Sequence, residues 1–294
     1  RDVGKKLGVD HVVLVSVRPS GTGVHVSVDV ANAQDIGAAW SKAFDSPRAD
    51  IDLLAGKIAR AMIDELRLQA SAVATAREQH RPPPDAYALY QQGRFFLNRA
   101  TKADLDRALD CFHRAIALDA QYAEAYAATA TTWEWLADIY VAPDVAYPHA
   151  DTLARRALEI DQANGEAHTA LALVRMFLYW DWPGAKRELD RAVELSPNSA
   201  IVHFTGSIYW VARRDSLRAI DEAREGVRLD PLNVANLFFL GSYHLWAGHL
   251  DSTLATSRHM EEIEPGFGYG ESLAGELFRR QGLLDSALAR DEGI

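Results

Sequence analysis

The sequence predicts a mainly α-helical solenoid preceded by a small α/β module, and three observations support this fold class. Prolines stand at the same place in three successive units, at Pro197, Pro231 and Pro265, with a spacing of 34 residues each time. Small residues recur with nearly the same period from residue 85 onward. Near the start of the chain, valines alternate with polar residues, which is typical of a half-buried strand. A period of about 34 residues is the length of stacked helix–turn–helix units.

The first part of the chain, residues 1–68, has the pattern of an α/β module. A β-branched run (HVVLVSVR) precedes the alternating valines, and Ser20-Gly21-Thr22-Gly23 between them is a hairpin-like turn sequence. Apolar residues spaced three and four apart then predict a helix with one buried face. The predicted elements are strands at residues 11–18, 24–30 and 37–44, and a helix from Asp50 to about Leu68.

Residues 69–84 lose this periodicity and end in three consecutive prolines, which break helices, so we expect a linker here. Residues 85–294 are helical in pattern throughout and predict about six helix pairs. Small residues at the closest contacts let paired helices approach each other. The predicted contact pairs are Gly93 with Ala108, Ala130 with Ala150, Ala172 with Ala185, Gly206 with Ala219, Gly241 with Thr253, and Gly275 with Ala287.

The repeat is less regular in its second pair and at its end. The second pair carries eight extra residues, and residues 138–149, which include two prolines, are predicted to form a protruding loop. The last pair has a short second helix without a polar cap, so we expect a truncated or docked C-terminus. The first residue is Arg1, and we expect the chain to be a piece of a longer protein.

Charge and composition exclude several classes of function. The net charge is −10, and the whole excess lies in residues 81–294, where 21 basic residues face 31 acidic ones. This argues against binding of nucleic acid or of an anionic membrane surface through this segment. The single cysteine, Cys111, allows no internal disulfide. No apolar run approaches the roughly 18 residues that a membrane-spanning helix needs.

The repeat region, residues 85–294, resembles the tetratricopeptide repeat (TPR) family. A second likeness covers nearly the whole chain: residues 1–68 resemble the second half of the TolB-like module of bacterial multidomain signalling proteins. It rests on Gly8-Val9, Ser16-Val17-Arg18, Ala39-Trp40 with Phe44-Asp45, and the helix at 55–68. Leu14-Val15 replaces the usual Glu-Gly pair of that family. In the repeats, Trp180-Asp181-Trp182 followed by Gly184-Ala185 and Glu188 also matches. The resemblance implies an upstream effector: a serine/threonine kinase, a winged-helix regulator or an adenylate cyclase.

No catalytic or cofactor motif is found in the sequence. There is no glycine-rich phosphate loop, kinase catalytic loop or dinucleotide fingerprint, and no His-Glu-x-x-His run, so we expect no cofactor and no metal. His244 and His249 are five residues apart, which on a helix places them on different faces. Cys111 lies beside Phe112 and is interpreted as a buried structural thiol.

The string Trp180-Asp181-Trp182-Pro183 allows two interpretations. It could form an aromatic platform for a ligand. The favoured interpretation is a structural turn, in which the tryptophans cover helix ends and Asp181 caps the next helix.

The concave groove of the solenoid is the better candidate for a binding surface, since the first helix of each pair lines it. Inward-facing positions follow from the small residue of each pair: one on the helical turn before it, one directly after it and one four to five residues after it. The surface they form is aromatic and weakly charged, which suits an apolar or extended peptide. These positions are Tyr90, Arg94, Asn98, Trp135, Met176, Phe177, His203, Ser207, Trp210, Phe238, Ser242 and Trp246.

The sequence therefore predicts a non-catalytic protein–protein interaction region of a bacterial signalling protein. Its expected partner is a protein or peptide segment bound in the groove. The alternative hypothesis is that the segment regulates an enzyme, foremost a serine/threonine kinase, or a DNA-binding regulator whose effector domain lies upstream of Arg1. The sequence leaves the oligomeric state and the compartment open.

Overall fold

Two units make up the chain, Arg1–Gln79 and His80–Ile294. The structure, a computed structural model, describes residues 11–21, 23–32, 38–47, 54, 57–58, 61–62, 80, 82–99, 101–265 and 268–291. The linker predicted over residues 69–84 lies mostly outside these residues.

The first unit holds a three-stranded antiparallel sheet in the order β1-β2-β3, with strands β1 His11–Ser20, β2 Gly23–Asn32 and β3 Ala38–Pro47. Gly21 has a φ of +57° in the turn between β1 and β2, which a glycine adopts without strain. Val26, Val28 and Val30 alternate along β2 and are all buried. Val26 and Val28 pack with Leu54, Ile58 and Met62, which lie four residues apart. The remainder of the predicted helix at 50–68 lies outside the described residues.

The second unit is a solenoid of paired helices, and its fold class agrees with the sequence prediction. Twelve helices form six consecutive pairs in residues 82–291, apart from the few undescribed positions there. The first begins at Pro84, whose missing N–H would have no partner in the first turn. The helices are α1 Pro84–Leu97, α2 Lys102–Leu118, α3 Ala123–Ile139, α4 Pro143–Ile160, α5 Gly165–Phe177, α6 Trp182–Leu195, α7 Ala200–Ala212, α8 Ser216–Leu229, α9 Val234–Trp246, α10 Leu250–Ile263, α11 Tyr269–Arg280 and α12 Leu284–Asp291.

The small residues that define the repeat lie where the paired helices meet. All twelve predicted contact residues are buried. In the first pair the contact is close, because a Cβ atom added at Gly93 would lie 2.5 Å from Cε1 of Phe112. Phe112 is itself fully buried in the core between α1, α2 and α3. The periodic small residue is therefore a packing requirement of the solenoid.

The loop predicted at residues 138–149 is absent, and this part of the sequence prediction is wrong. The second pair instead has longer helices, 17 residues in α3 and 18 in α4, where the next three pairs have 13 and 14. The eight extra residues thus add about one turn to each helix. Pro143 occupies the first position of α4, where proline is favoured. Pro148 lies in the second turn on the exposed face, where water can reach the carbonyl that lacks a partner.

The turn inside each of the last four pairs contains one residue in the left-handed region. These residues are Trp180, Arg214, Gly248 and Gly282, with φ of +53°, +60°, +80° and +76°, and they follow one another at 34-residue intervals. Glycine adopts this conformation without strain, whereas a residue with a Cβ atom does not. The repeat therefore has a second periodic requirement, a left-handed residue in the turn of each of these pairs. Two of the four units meet it with a non-glycine residue, Trp180 or Arg214, whose backbone is strained.

Replacing Gly248 with alanine tests this requirement by itself. No atom lies within 4 Å of a Cβ atom added at Gly248, so the change adds backbone strain without a clash. We expect Gly248→Ala to lower the free energy of unfolding by about 1 kcal/mol. Arg214→Gly, at the equivalent strained position, is the matched control and should not lower it. Urea unfolding followed by circular dichroism measures both. An unchanged midpoint for Gly248→Ala would contradict the explanation.

Candidate functional site

The inner surface of the solenoid encloses an apolar cavity of about 500 Å³. Fifteen of its sixteen lining residues belong to α3, α5, α7, α9 and α11, the first helices of the second to sixth pairs; the other, Tyr147, belongs to α4. The sequence prediction that first helices form the inner surface agrees with this arrangement. Glu134, which is buried, is the single charged residue in the lining. A pocket with apolar walls and few polar groups is the usual form of a ligand site.

A continuous row of aromatic rings forms the floor of this cavity. Its members are in contact along three helices, with ring centroids 6.1 Å apart for Trp135 and Phe204, 4.8 Å for Phe204 and Phe239, 6.2 Å for Phe239 and Tyr243, and 5.6 Å for Tyr243 and Trp246. We call these five residues the aromatic row. Such centroid distances are those of attractive ring pairs. The row links α3 to α9 along the floor of the cavity.

Tyr243, the fourth ring of the row, is buried and has the Ser207 hydroxyl as a neighbour. Burial raises the pKa of Tyr243 to about 12, so the phenol stays neutral at physiological pH. The Ser207 hydroxyl donates to the carbonyl oxygen of Phe204 at 2.6 Å and lies 3.3 Å from the Tyr243 hydroxyl. Ser207 therefore contacts the aromatic row at Tyr243 and does not line the cavity.

Four of the twelve predicted groove residues line the apolar cavity: Trp135, Phe177, Phe238 and Trp246. Three of these stand five residues after the small residue of their helix, as does Val211 of α7, which also lines the cavity. Phe177 and Trp246 keep 38% and 55% of their surface exposed and so remain accessible to a partner.

Arg94 and Asn98 line a second, more polar pocket of about 200 Å³. The Arg94 guanidinium donates to Glu166 at 2.6 Å, so the cation that the sequence places in the groove is already paired. The apolar cavity and the polar pocket are neighbours, because both are lined by Thr131, Trp135, Ile201 and Ala235.

The structure places four other predicted residues inside the helix packing. Met176 is fully buried, and Ser207 and Ser242 are buried and donate to carbonyl groups of their own helices. Tyr90 is half-buried against Phe112 and Tyr122, with ring centroids at 5.8 and 5.1 Å, and burial raises its pKa. In α5 the position four residues after the small residue, Met176, lies in the core, whereas the next position, Phe177, lines the cavity.

His203 and Trp210 also lie outside the cavity lining. His203 Nδ1 contacts Glu222 of α8 at 2.7 Å, and its Nε2 contacts the carbonyl oxygen of Pro197 at 2.9 Å. The hydrogen bond to Glu222 raises the pKa of His203. His168 makes the same two contacts, to Glu188 and to Gln162, one unit earlier. His203 is thus part of a repeated link between paired helices. Trp210 packs against Tyr209 and lies under the Arg218 guanidinium, 4.3 Å from the ring centroid.

The sequence reasoning missed the residues that build the middle of the cavity. Phe204 and Phe239 stand two residues before the small residue, and Ile208 and Tyr243 stand two residues after it. The signal was available as an aromatic or large apolar residue at the same offset in two successive units. Comparing the residue types at every offset from the small residue, unit by unit, would have identified these four residues.

The sequence analysis also singled out residues outside the groove, and the structure shows the surroundings of each. Asp181 caps α6 by accepting a hydrogen bond from the Gly184 N–H at 2.9 Å, as predicted. Trp180 is 70% exposed, and its ring centroid lies 6.3 Å from that of Trp182. Cys111 is buried as predicted, and burial raises its thiol pKa. The expectation for His244 and His249 is wrong. The chain turns at Gly248 and folds His249 back, so the two Nδ1 atoms lie 3.2 Å apart.

Two further observations concern the residues that the structure describes. Among them, no group of three or more histidine, cysteine, aspartate or glutamate side chains has the geometry to hold a metal ion. No described helix is long and apolar enough to span a bilayer.

Comparison with known structures shows what this fold is. The chain is similar to a thermophilic TPR protein of Thermus thermophilus, with a TM-score of 0.52, 18% identity, and 69% of this chain and 99% of that chain covered. The fold is a TPR solenoid. The type IV pilus biogenesis factor PilW gives a TM-score of 0.52 at 14% identity, covering 70% of this chain and 90% of its own. The APC/C hetero-tetramer Cut9–Hcn1 gives 0.54 at 13%, covering 84% and 50%.

Comparison of sequences gives a relative of a different kind. A putative adenylate cyclase 3 of Rhizobium meliloti (strain 1021) is 26% identical over 198 residues, which cover 65% of this chain. The chain spans about a third of the length of that relative, 32%. No protein-family model matches the chain.

Proposed function

We propose that this TPR solenoid is a non-catalytic interaction module that binds an extended, mainly apolar segment of a partner protein in its inner groove. The observation that carries the proposal is the aromatic row along the apolar cavity. Large aromatic side chains in a concave surface are the usual anchors of protein recognition. Here they are fixed by contacts with one another before a partner arrives. A preformed groove avoids the entropy loss of ordering the receptor.

The polar groups around the cavity favour binding over catalysis. Glu134 is the one charged residue among the described lining residues. General acid–base catalysis usually employs several titratable groups in one cleft, and a nucleophile needs an adjacent base. Tyr243, one of the phenols in the lining, is neutral at physiological pH, and burial raises its pKa further, to about 12. The cavity therefore suits apolar side chains of a bound segment.

A second proposal concerns the protein around this segment. The relative with the adenylate cyclase name is about three times as long as the part that matches, which supports a regulatory segment joined to an effector. We place this chain in such a signalling protein, with a cyclase favoured over a kinase or a winged-helix regulator. The coding sequence that adjoins this segment tests the idea. An effector domain of any of these types would support it, and an unrelated enzyme would remove it.

The groove assignment is tested with a peptide array and two tryptophan variants. Full-length protein is incubated with an array of 12-residue peptides, and the bound peptides are titrated by fluorescence anisotropy. Trp135→Ala with Trp246→Ala removes both ends of the aromatic row, so we expect affinity to fall by roughly a thousandfold, because anchors of this kind contribute about 2 kcal/mol or more each. Trp180→Ala is the matched control, since Trp180 is exposed and lies outside the cavity. Equal binding by the double variant would rule out the groove.

A further inference from the structure

The polar pocket beside the apolar cavity contains a side chain that the packing does not explain. Its lining comes from the end of α1, from α3, and from the starts of α5, α7 and α9, so it spans the groove. Asn236 of α9 is 8% exposed and lines this pocket. Within the described residues its carboxamide makes no hydrogen bond, although its backbone N–H donates to Asn233 at 3.1 Å. Its amide atoms are not among the fully buried unpaired ones, so they reach the pocket and are open to a hydrogen bond from a bound group.

The repeat shows that asparagine is not required at this place. Asn236 is the third residue of α9, and the third residues of α5 and α7 are Ala167 and Val202. Both are apolar and almost completely buried. The equivalent helices thus pack with an apolar side chain where α9 has a carboxamide. Packing therefore does not require the asparagine, and its pocket shares four lining residues with the proposed peptide groove.

The charges around the pocket decide which chemistry it accepts. Arg94 is paired with Glu166 at 2.6 Å, and Asp230 accepts a hydrogen bond from Asn233 at 3.2 Å. The described lining residues thus include one cationic side chain, Arg94, and two carboxylates, Glu166 and Asp230. This balance disfavours an anion such as a chain-terminal carboxylate. A carboxamide offers one acceptor and two donor hydrogens, so its complement is another uncharged amide.

We propose that this pocket binds an uncharged amide group of the segment held in the groove, and that the Asn236 carboxamide is its hydrogen-bond partner. The amide is either a main-chain peptide group or an Asn or Gln side chain. This inference rests on the proposed function, because the apolar cavity holds the neighbouring side chains of the same segment. The apolar cavity gives affinity, and Asn236 fixes the register of the bound chain.

The test uses small probes and NMR on the ¹⁵N-labelled full chain. Acetamide represents a side-chain amide, N-methylacetamide a main-chain amide, and acetate is isosteric with acetamide but charged. Indole probes the apolar cavity separately. We expect at least one amide to shift the Asn236 side-chain signals, and acetate to bind at least tenfold more weakly. The amide that binds more tightly identifies the source.

Asn236→Val copies the residue at the equivalent position of α7 and should fold well. We expect it to weaken amide binding at least tenfold without lowering the thermal midpoint, because valine fills the equivalent place in α7. Asn198→Val, at an exposed position outside both spaces, is the control. Acetate binding as tightly as acetamide, or amide binding that survives Asn236→Val, would overturn the inference. Indole binding without amide binding would overturn this inference alone, and loss of both would remove the groove proposal as well.

Discussion

Gly93→Ala is expected to lower the free energy of unfolding by about 2 kcal/mol, because it forces a methyl group into a closed packing contact. The added Cβ atom would lie 2.5, 2.7 and 2.9 Å from three carbons of the Phe112 ring. Phe112 is completely buried, so the ring has no free space to move into. The strain outweighs the gain of about 1 kcal/mol that alanine normally brings over glycine in a helix.

Gly206→Ala is the matched control at the same place in the repeat. Its Cβ atom would lie 3.3 Å from the carboxyl end of Glu222, so this side chain, which contacts His203 at 2.7 Å, needs to give by only a few tenths of an ångström. We expect this variant to be as stable as the wild type or slightly more stable. Thermal unfolding by calorimetry measures both, and Phe112→Leu in the Gly93→Ala background should restore part of the loss. Equal stability of the two glycine variants would show that the small position is not a packing requirement.

The solenoid was predictable because its packing repeats. The 34-residue period and the small residues at 108, 150, 185, 219, 253 and 287 arise from one physical need, close approach of paired helices, which every unit meets. The prolines in the second pair misled the prediction, since Pro143 and Pro148 fit inside the start of a lengthened helix. Composition alone cannot distinguish a proline that begins a helix from one that ends it.

The binding surface was less predictable because it depends on rotation about each helix axis. One residue along a helix turns the side chain by about 100 degrees, so in α5 a count of four or of five residues from the small residue separates core from cavity. Met176 and Phe177 show this most directly. His203 also looked accessible in the sequence, and only the position of Glu222 on the next helix shows that it is used in packing.

The neighbours Met176 and Phe177 should therefore respond oppositely to the same substitution. Met176 is fully buried in the core cluster shared by α3 to α7, so Met176→Ala should lower the free energy of unfolding by about 3 kcal/mol. Phe177 is 38% exposed and stacks on Tyr147 with centroids 5.8 Å apart. Phe177→Ala removes one partly exposed contact, so we expect a loss of stability of about 1 kcal/mol or less.

For peptide affinity we expect the opposite order, with the larger loss in Phe177→Ala. Phe177→Ala should weaken a peptide selected on the wild-type protein by tenfold or more, because Phe177 reaches the cavity. Met176→Ala, measured below its unfolding temperature, should keep most of the affinity, since its side chain touches no ligand. Unfolding curves and peptide titrations on the same two samples give both quantities. If both variants lost stability and affinity in proportion, the cavity would be an ordinary part of the core. A crossed result is expected only if the face of α5 at Phe177 is a binding surface.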